Sequence, residues 1–413
     1  MQTFHRLPTR LRPWWLLLFL SAPALAEKPL TLERAVSLAL ERSPTLVTSE
    51  TEAALARAQA QGASLLFQSN PELEVAAGPR VREGGNSLDL GLGVSQQFEI
   101  FGQRGARRAV AEALVVGSEA RLQARRIELA AEVREAFGRA LATEQDVQIT
   151  EEARRLAEEA LRAAEQRLEA GATSRIEVNA ARVELGRARR EYAAVTQRRA
   201  VALGALRLLI GLEAAEELTL EGSLSADASP PVEVEALAEQ ALAGRADVRA
   251  ARAELEAAQA ERALAAREAL PSPRLGVAYS REEGAQIIQG TLGIALPLFQ
   301  RNQAARGISA VRVAQAERSL QALERAVRLE VRLSAERLRG AQVAVAAGSG
   351  DVLAAQEENL ALINEAYRAG KVDFFELLII RRESLDARRA SIEALEELNA
   401  AQAQLKRVVG SIQ

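Results

Sequence analysis

The chain has 413 residues, 48% hydrophobic, 26% charged and only 3% aromatic, and its 53 Lys and Arg against 56 Asp and Glu leave a formal net charge of −3. That near-neutral balance, with neither half basic and no Lys/Arg stripe interleaved with aromatics, excludes a nucleic-acid partner. Cysteine is absent and the single histidine and methionine are His5 and Met1, so disulfides, thiolate chemistry, zinc–sulfur sites and imidazole catalysis are excluded for the body of the chain, and no cofactor is expected.

Residues 1–26 read as an export signal. Arg6, Arg10 and Arg12 form a basic end, Trp14 to Leu20 a short apolar core, and Ala24-Leu25-Ala26 an A-x-A cleavage site. The apolar run is too short to span a bilayer as a helix. Cleavage is expected before Glu27, and because no cysteine follows, the processed chain is expected to carry no amino-terminal lipid anchor.

From Thr31 to Leu66 the spacing is helical, with Leu32, Ala35, Val36, Ala39 and Leu40 on one stripe, until Ser69-Asn70-Pro71 breaks it. Leu73, Val75 and Ala77 then alternate with polar or small residues, and Gly84-Gly85-Asn86 makes a turn. The next strand alternates most cleanly, with Leu88, Leu90, Leu92, Val94, Phe98 and Ile100 on one face and Asp89, Gly91, Gly93, Ser95 and Gln97 on the other. After Phe101-Gly102 a proline-free run rich in Ala, Glu, Arg and Leu extends to Ala170, a rod of roughly 100 Å at helical rise. A helix of that length must pack along its whole extent in a coiled coil or helical wall. Gly171-Ala172-Thr173-Ser174 turns the chain, and a further helix returns to Gly211.

The order then repeats. Ala39-Leu40 and Ala241-Leu242 lie 202 positions apart, as do Asn70-Pro71 and Ser272-Pro273; Gly171 and Gly370, Glu177 and Glu376, and Gly211 and Gly410 lie 199 apart. Residues 32–211 and 234–410 are therefore read as two copies of one structural unit. The expected organisation is a signal (1–26), a first repeat (27–211), a Pro/Ser/Glu-rich connector (212–233) and a second repeat (234–413). Strands are expected at about 72–79, 87–100, 274–281 and 287–298, and long helices at about 103–170 and 303–369, with Gly340, Gly348 and Gly350 as weak points in the second rod. Helix is also expected over Val234–Leu270.

Strands with one apolar face suit either a soluble sandwich or a membrane barrel facing lipid. The export signal, the strand lengths and the flanking rods favour the barrel. Four strands cannot close one, since the smallest barrels have about eight, and an open edge in lipid would leave backbone donors and acceptors without partners. The chain is therefore expected to oligomerise.

At this point the whole chain after the signal resembles the TolC-type outer-membrane factors. The most specific text is Ser95-Gln96-Gln97-Phe98-Glu99-Ile100-Phe101-Gly102-Gln103-Arg104-Gly105-Ala106-Arg107, which is similar to the hairpin-to-helix junction of the cobalt–zinc–cadmium (CzcC-like) branch; Leu296-Pro297-Leu298-Phe299-Gln300-Arg301-Asn302 is its counterpart. The resemblance implies a mainly α fold with a β-barrel part: a homotrimer with a 12-stranded barrel in the lipid of the outer membrane, continued by a long α-helical barrel in the periplasm. It implies a passive duct, not an enzyme, docked to a periplasmic adaptor and an inner-membrane transporter of the resistance–nodulation–division type.

By match of position, Arg167, Leu168 and Gly171, and Arg368 and Gly370, would form tips that contact the adaptor. Tyr367 and Glu177 would form a link closing the periplasmic entrance, and Glu376 would stand in an acidic ring. Val372 replaces a basic latch residue and Ile379 a second acidic one, so closure is expected to lean more on apolar packing. Without the resemblance, Gly171 and Gly370 are helix C-caps, and Glu177 and Glu376 are carboxylates complementing a helix dipole. Heavy-metal cations are the expected cargo; multidrug efflux or one-step protein secretion is the alternative, and a soluble periplasmic coiled-coil scaffold a remote one.

Overall fold

A computed structural model of the chain describes residues 29–81, 85–213, 218–224, 233–282, 285–348 and 350–411. The expected signal, Gly84 of the expected turn and most of the connector lie outside the described residues.

The first repeat opens with α1 (Leu32–Arg42), capped by Thr31, whose hydroxyl accepts from the Arg34 amide at 3.3 Å. One continuous helix was expected from Thr31 to Leu66. Instead Pro44, which has no N–H to donate, ends α1, and a single 3-10 turn (Pro44–Leu46) leads into α2 (Val47–Ala63). Strands β1 (Glu72–Arg80) and β2 (Ser87–Gln97) form a hairpin, α3 (Gln103–Glu169) runs for 67 residues, and α4 (Arg175–Ile210) returns along it.

The second repeat has α5 (Val234–Gly244) and α6 (Ala246–Arg267) where a single helix over Val234–Leu270 was expected. The break is at Arg245, whose backbone is extended and whose guanidinium is tied to Asp247 at 2.6 Å and Glu330 at 2.7 Å, with a further bond to the Val408 carbonyl at 3.2 Å. Strands β3 (Arg274–Glu282) and β4 (Ala285–Gly293) follow. The expected second rod over 303–369 is divided into α7 (Gln303–Gly348) and α8 (Asp351–Arg368), with Gly350 between them at φ +67°. Helix α9 (Phe374–Val409) returns to the start.

Close helix packing rests on alanine. Ala113, Gly117 and Ala120 of α3 are buried, and a Cβ added at Gly117 would stand 3.5 Å from that of Ala253 on α6. Larger side chains fill the cores that fix the helix ends. Ala39 of α1 is fully buried with Leu129, Val133, Leu206 and Ile210, and Ala241 of α5 is fully buried with Val248, Val327, Val331 and Val408. The connector is less loose than its composition suggests: Leu218 joins the first core, and the Leu30 amide donates to the Thr219 carbonyl at 2.8 Å.

The four strands form one antiparallel sheet in the order β1-β2-β3-β4. Two strand ends differ from expectation. β2 stops at Gln97 rather than residue 100, and β4 runs from Ala285 to Gly293 rather than from 287 to 298. The cause is the neighbour. β3 begins at Arg274, after Pro271-Ser272-Pro273, and its first residue pairs with both Gln97 and Gly293. Proline cannot extend the ladder, and past it only Phe98 still donates, to the Pro273 carbonyl at 2.8 Å.

The sheet meets the long helices through two matched junctions. Gly102 has φ +78° and Asn302 has φ +57°, and in each case the next residue, Gln103 or Gln303, accepts at 2.9 Å from the amide two positions earlier. Glycine adopts this left-handed backbone freely and asparagine tolerates it. A Cβ on Gly102 would also meet the end of the Arg267 side chain. Gly102→Ala is therefore expected to cost about 1–2 kcal/mol, and Gly102→Asn less. The check is the temperature at which the folded species collapses on a semi-native gel. Equal values for wild type and both variants refute the backbone argument.

Candidate functional site

Two regions hold the chemistry: the turns at the far ends of the long helices, and the two faces of the sheet.

The turns are built alike. Ala172 donates to the Arg167 carbonyl at 2.7 Å and Gly171 to that of Leu168 at 2.9 Å; Lys371 donates to Ala366 at 2.9 Å and Gly370 to Tyr367 at 3.1 Å. This Schellman pattern needs a left-handed residue after the helix, and Gly171 and Gly370 both have φ +69°. Each next helix is capped by a side chain. Ser174 Oγ accepts from the Glu177 amide at 3.4 Å, and Asp373 Oδ1 accepts from the Glu376 amide at 2.8 Å. Ser174-x-x-Glu177 and Asp373-x-x-Glu376 are helix-start signatures legible in sequence, a signal the sequence reading missed.

Phe374 and Leu377 of α9 are buried against Ala164 of α3 and Val178 and Ala181 of α4, with Leu168 and Tyr367 packed around them. This small core clamps the two helical hairpins together and brings three of the expected residues to one point. Tyr367 Oη donates to Glu177 Oε1 at 2.8 Å, Arg167 Nη1 lies 3.5 Å from the same oxygen, and the Arg167 guanidinium stands 5.2 Å from the Tyr367 ring centre. Thr173 Oγ1 donates to the other Glu177 oxygen. Burial, and then the bond to the Glu177 carboxylate, push the Tyr367 phenol above its ordinary value, so it remains a donor at neutral pH.

The other expected residues stand apart from this cluster. Arg368, Gly171 and Gly370 are exposed at the turns. Glu376 is exposed, Val372 is half-buried, and Ile379, where the resemblance leads one to look for an acid, is 56% exposed. Sequence reading also missed Arg381, which burial shifts downward and which donates to Asn364 Oδ1 at 2.6 Å. Farther from the tip the hairpins are tied by Glu184–Arg382 and by Glu191–Arg389 at 2.7 Å, one heptad apart on both α4 and α9.

In the sheet, register places side chains with no ambiguity, because alternate residues face opposite sides. The pairs Leu73↔Val94, Val75↔Leu92, Leu92↔Tyr279, Val94↔Val277, Leu275↔Leu292 and Tyr279↔Ile288 put one apolar surface across all four strands, bounded by Gln96 at one end and by Arg281 and Gln286 at the other. Among the described residues nothing covers it: Val75 is 69% exposed, Leu92 49% and Ile288 77%. The opposite face is polar or small apart from Ile287. There Arg80 bonds Asp89 at 2.7 Å and Glu282 at 3.0 Å, and Arg274 bonds Glu72 at 2.6 Å. Asp89 is thus ion-paired.

Strands of nine to eleven residues have the length of membrane-spanning strands. No helix among the described residues is long and apolar enough to cross a membrane.

The fold is similar to that of CusC, at 20% identity and a TM-score of 0.76 over 92% of each chain. A membrane protein from Pseudomonas aeruginosa gives 21% and 0.76 over 92% of this chain and 90% of that one. The open state of the MtrE outer membrane channel from Neisseria gonorrhoeae gives 21% and 0.76 over 92% and 89%. No curated protein matches the sequence significantly. The family model described as "Outer membrane efflux protein" matches residues 35–212 and 237–411, nearly the whole of both repeats. The chain therefore belongs to the outer membrane efflux protein family, whose members are channels and not enzymes, and lies in the outer membrane with its helices extending into the periplasm.

Proposed function

We propose that three copies of the chain close a 12-stranded barrel from their four-stranded sheets and form a passive efflux duct for heavy-metal cations. The duct would be fed from the inner membrane by an adaptor and a transporter of the resistance–nodulation–division type. The observation that carries this reading is the sheet. Its apolar face is bare, and β1 and β4 each have one edge without a strand partner among the described residues. In hydrocarbon such edges are satisfied only by closure, and further copies supply the missing strands.

The helical ends support the same assembly. Ile176 and Val183 on α4, and Phe375 and Ile379 on α9, are exposed apolar side chains next to the tip turns. In a trimer they meet neighbouring copies and narrow the entrance by apolar packing, while the Tyr367–Glu177 link holds the two hairpins of one copy together. Arg167, Leu168, Gly171, Arg368 and Gly370 are the proposed adaptor contacts.

Cations are favoured by the polar face of the sheet, which carries Glu72, Glu74, Asp89 and Glu282 against only Arg80 and Arg274. Rings of carboxylates bias a pore toward cations. The Ser95–Arg107 junction text, similar to that of the CzcC-like branch, points to metals within that class. Deleting the gene from its host is expected to reduce zinc and cobalt tolerance and leave drug tolerance unchanged; the opposite pattern assigns the duct to drug efflux and overturns the metal reading.

A further inference from the structure

At the rim where the sheet meets the helices, a groove opens on the apolar side of the central strands β2 and β3. Leu65, Leu66 and Phe67, between α2 and β1, form one wall, and Phe98, Leu275 and Val277 form the other. Phe67 and Phe98 meet edge to face with centroids 5.6 Å apart, and Gln96 Nε2 fixes the connection by donating to the Ser69 carbonyl at 3.0 Å. The space measures about 840 Å³, within the roughly 300–1,000 Å³ usual for small-molecule sites. Its walls are apolar yet open: Leu65 is 57% exposed, Leu66 63% and Phe67 45%.

A cation is tied to the residue that precedes its first wall. Arg104, in the first turn of α3, donates from Nε and Nη2 to the Ser64 carbonyl at 3.2 and 2.9 Å, next to Leu65. Its neighbours are neutralised, Arg107 by Glu99 at 2.8 Å and Arg108 by Glu112 at 3.0 Å. Arg104 has no carboxylate within ion-pair distance among the described residues.

We propose that this groove binds an anionic phospholipid of the inner leaflet, with an acyl chain along Leu66, Phe67 and Phe98 and the phosphate at Arg104. The occupant follows from position. The groove continues the apolar face that an outer-membrane protein turns to lipid, and the strand residues that line it belong to the two central strands, β2 and β3. The cation stands at the helix-side rim of that face, at headgroup level, where a guanidinium matches a phosphate in charge and in fork geometry. The site does not depend on which substrate is exported.

The test uses the chain's own composition. Trp14 and Trp15 are its only tryptophans, and both lie in the expected signal, so Phe67→Trp gives the processed protein a single reporter. This variant is reconstituted in phosphatidylcholine vesicles containing a minor fraction of lipid brominated on the acyl chain, either phosphatidylglycerol or phosphatidylcholine. Brominated phosphatidylglycerol is expected to quench with roughly five-fold higher apparent affinity, a preference lost when Arg104→Gln is added. Equal quenching by the two lipids, or a preference that survives Arg104→Gln, overturns the site; absence of quenching means that protein covers the groove and overturns it equally. A separate Leu92→Trp variant, reporting from the middle of the apolar face, is expected to be quenched by both lipids alike. Its failure to quench indicts membrane insertion itself rather than the groove.

Discussion

Leu92→Arg is expected to abolish accumulation of the protein in the outer membrane while Gln289→Arg is tolerated. Leu92 lies at the centre of β2, opposite Val75 on β1 and Tyr279 on β3, with half of its surface uncovered. An arginine at the midplane of a lipid-facing strand costs about 2–4 kcal/mol, and a symmetric assembly incurs that cost once per copy. Gln289 pairs with Ala278 on the opposite, polar face, where an added cation stays in water. Both variants keep the long helices, so circular dichroism of detergent-solubilised protein reads the same for each. Outer-membrane fractionation and the heat-modifiable oligomer band separate them. Equal assembly of the two variants contradicts the assignment of faces.

Glu177→Ala is expected to raise the open probability of the reconstituted channel by about ten-fold or more, with Tyr367→Phe moving it in the same direction by less. Glu177 accepts from Tyr367 Oη of α8, and Thr173 Oγ1 and Arg167 of its own tip hold the carboxylate in place, so one substitution removes that bond and leaves only the Arg167 guanidinium over the Tyr367 ring. A hydrogen bond to a charged group contributes about 1.5–3 kcal/mol, and 1.4 kcal/mol is about a factor of ten in an equilibrium. Tyr367→Phe deletes one of these bonds and leaves Arg167 with its carboxylate. The phenol is held protonated by burial and by Glu177, so the wild-type current is expected to be flat from neutral to mildly alkaline pH. Single-channel recording in planar bilayers gives all of these values, and the double variant should fall short of the sum because the two residues share one contact. Wild-type currents in Glu177→Ala would show that the link does not hold the entrance closed.

Some of this was legible before any coordinates. A strand has period two, so Leu88, Leu90, Leu92 and Val94 had to share a face whatever they packed against. Glycine just past a long helix had to turn it, and both tip glycines take the left-handed conformation. Tyr367, Arg167 and Glu177 were singled out by resemblance to a family, and the structure brings those three together. Glu376, selected on the same ground, stays exposed. Both glutamates occupy identical capping positions, and nothing local distinguishes them.

Composition, periodicity and duplication determined the order of elements, the apolar side of each strand and the positions of the turns, because those depend on neighbours only a few residues away. Tertiary structure decided where β2 and β4 end, since a ladder stops when the adjacent strand runs into Pro273. It decided that Arg245 interrupts a helical pattern to reach Asp247 and Glu330, contacts that run partly across the fold. It also decided which tip carboxylate is engaged, because that depends on the side chain that α8 delivers across 190 residues of chain. Long-range partners leave no trace in local spacing, and only the packed chain reveals them.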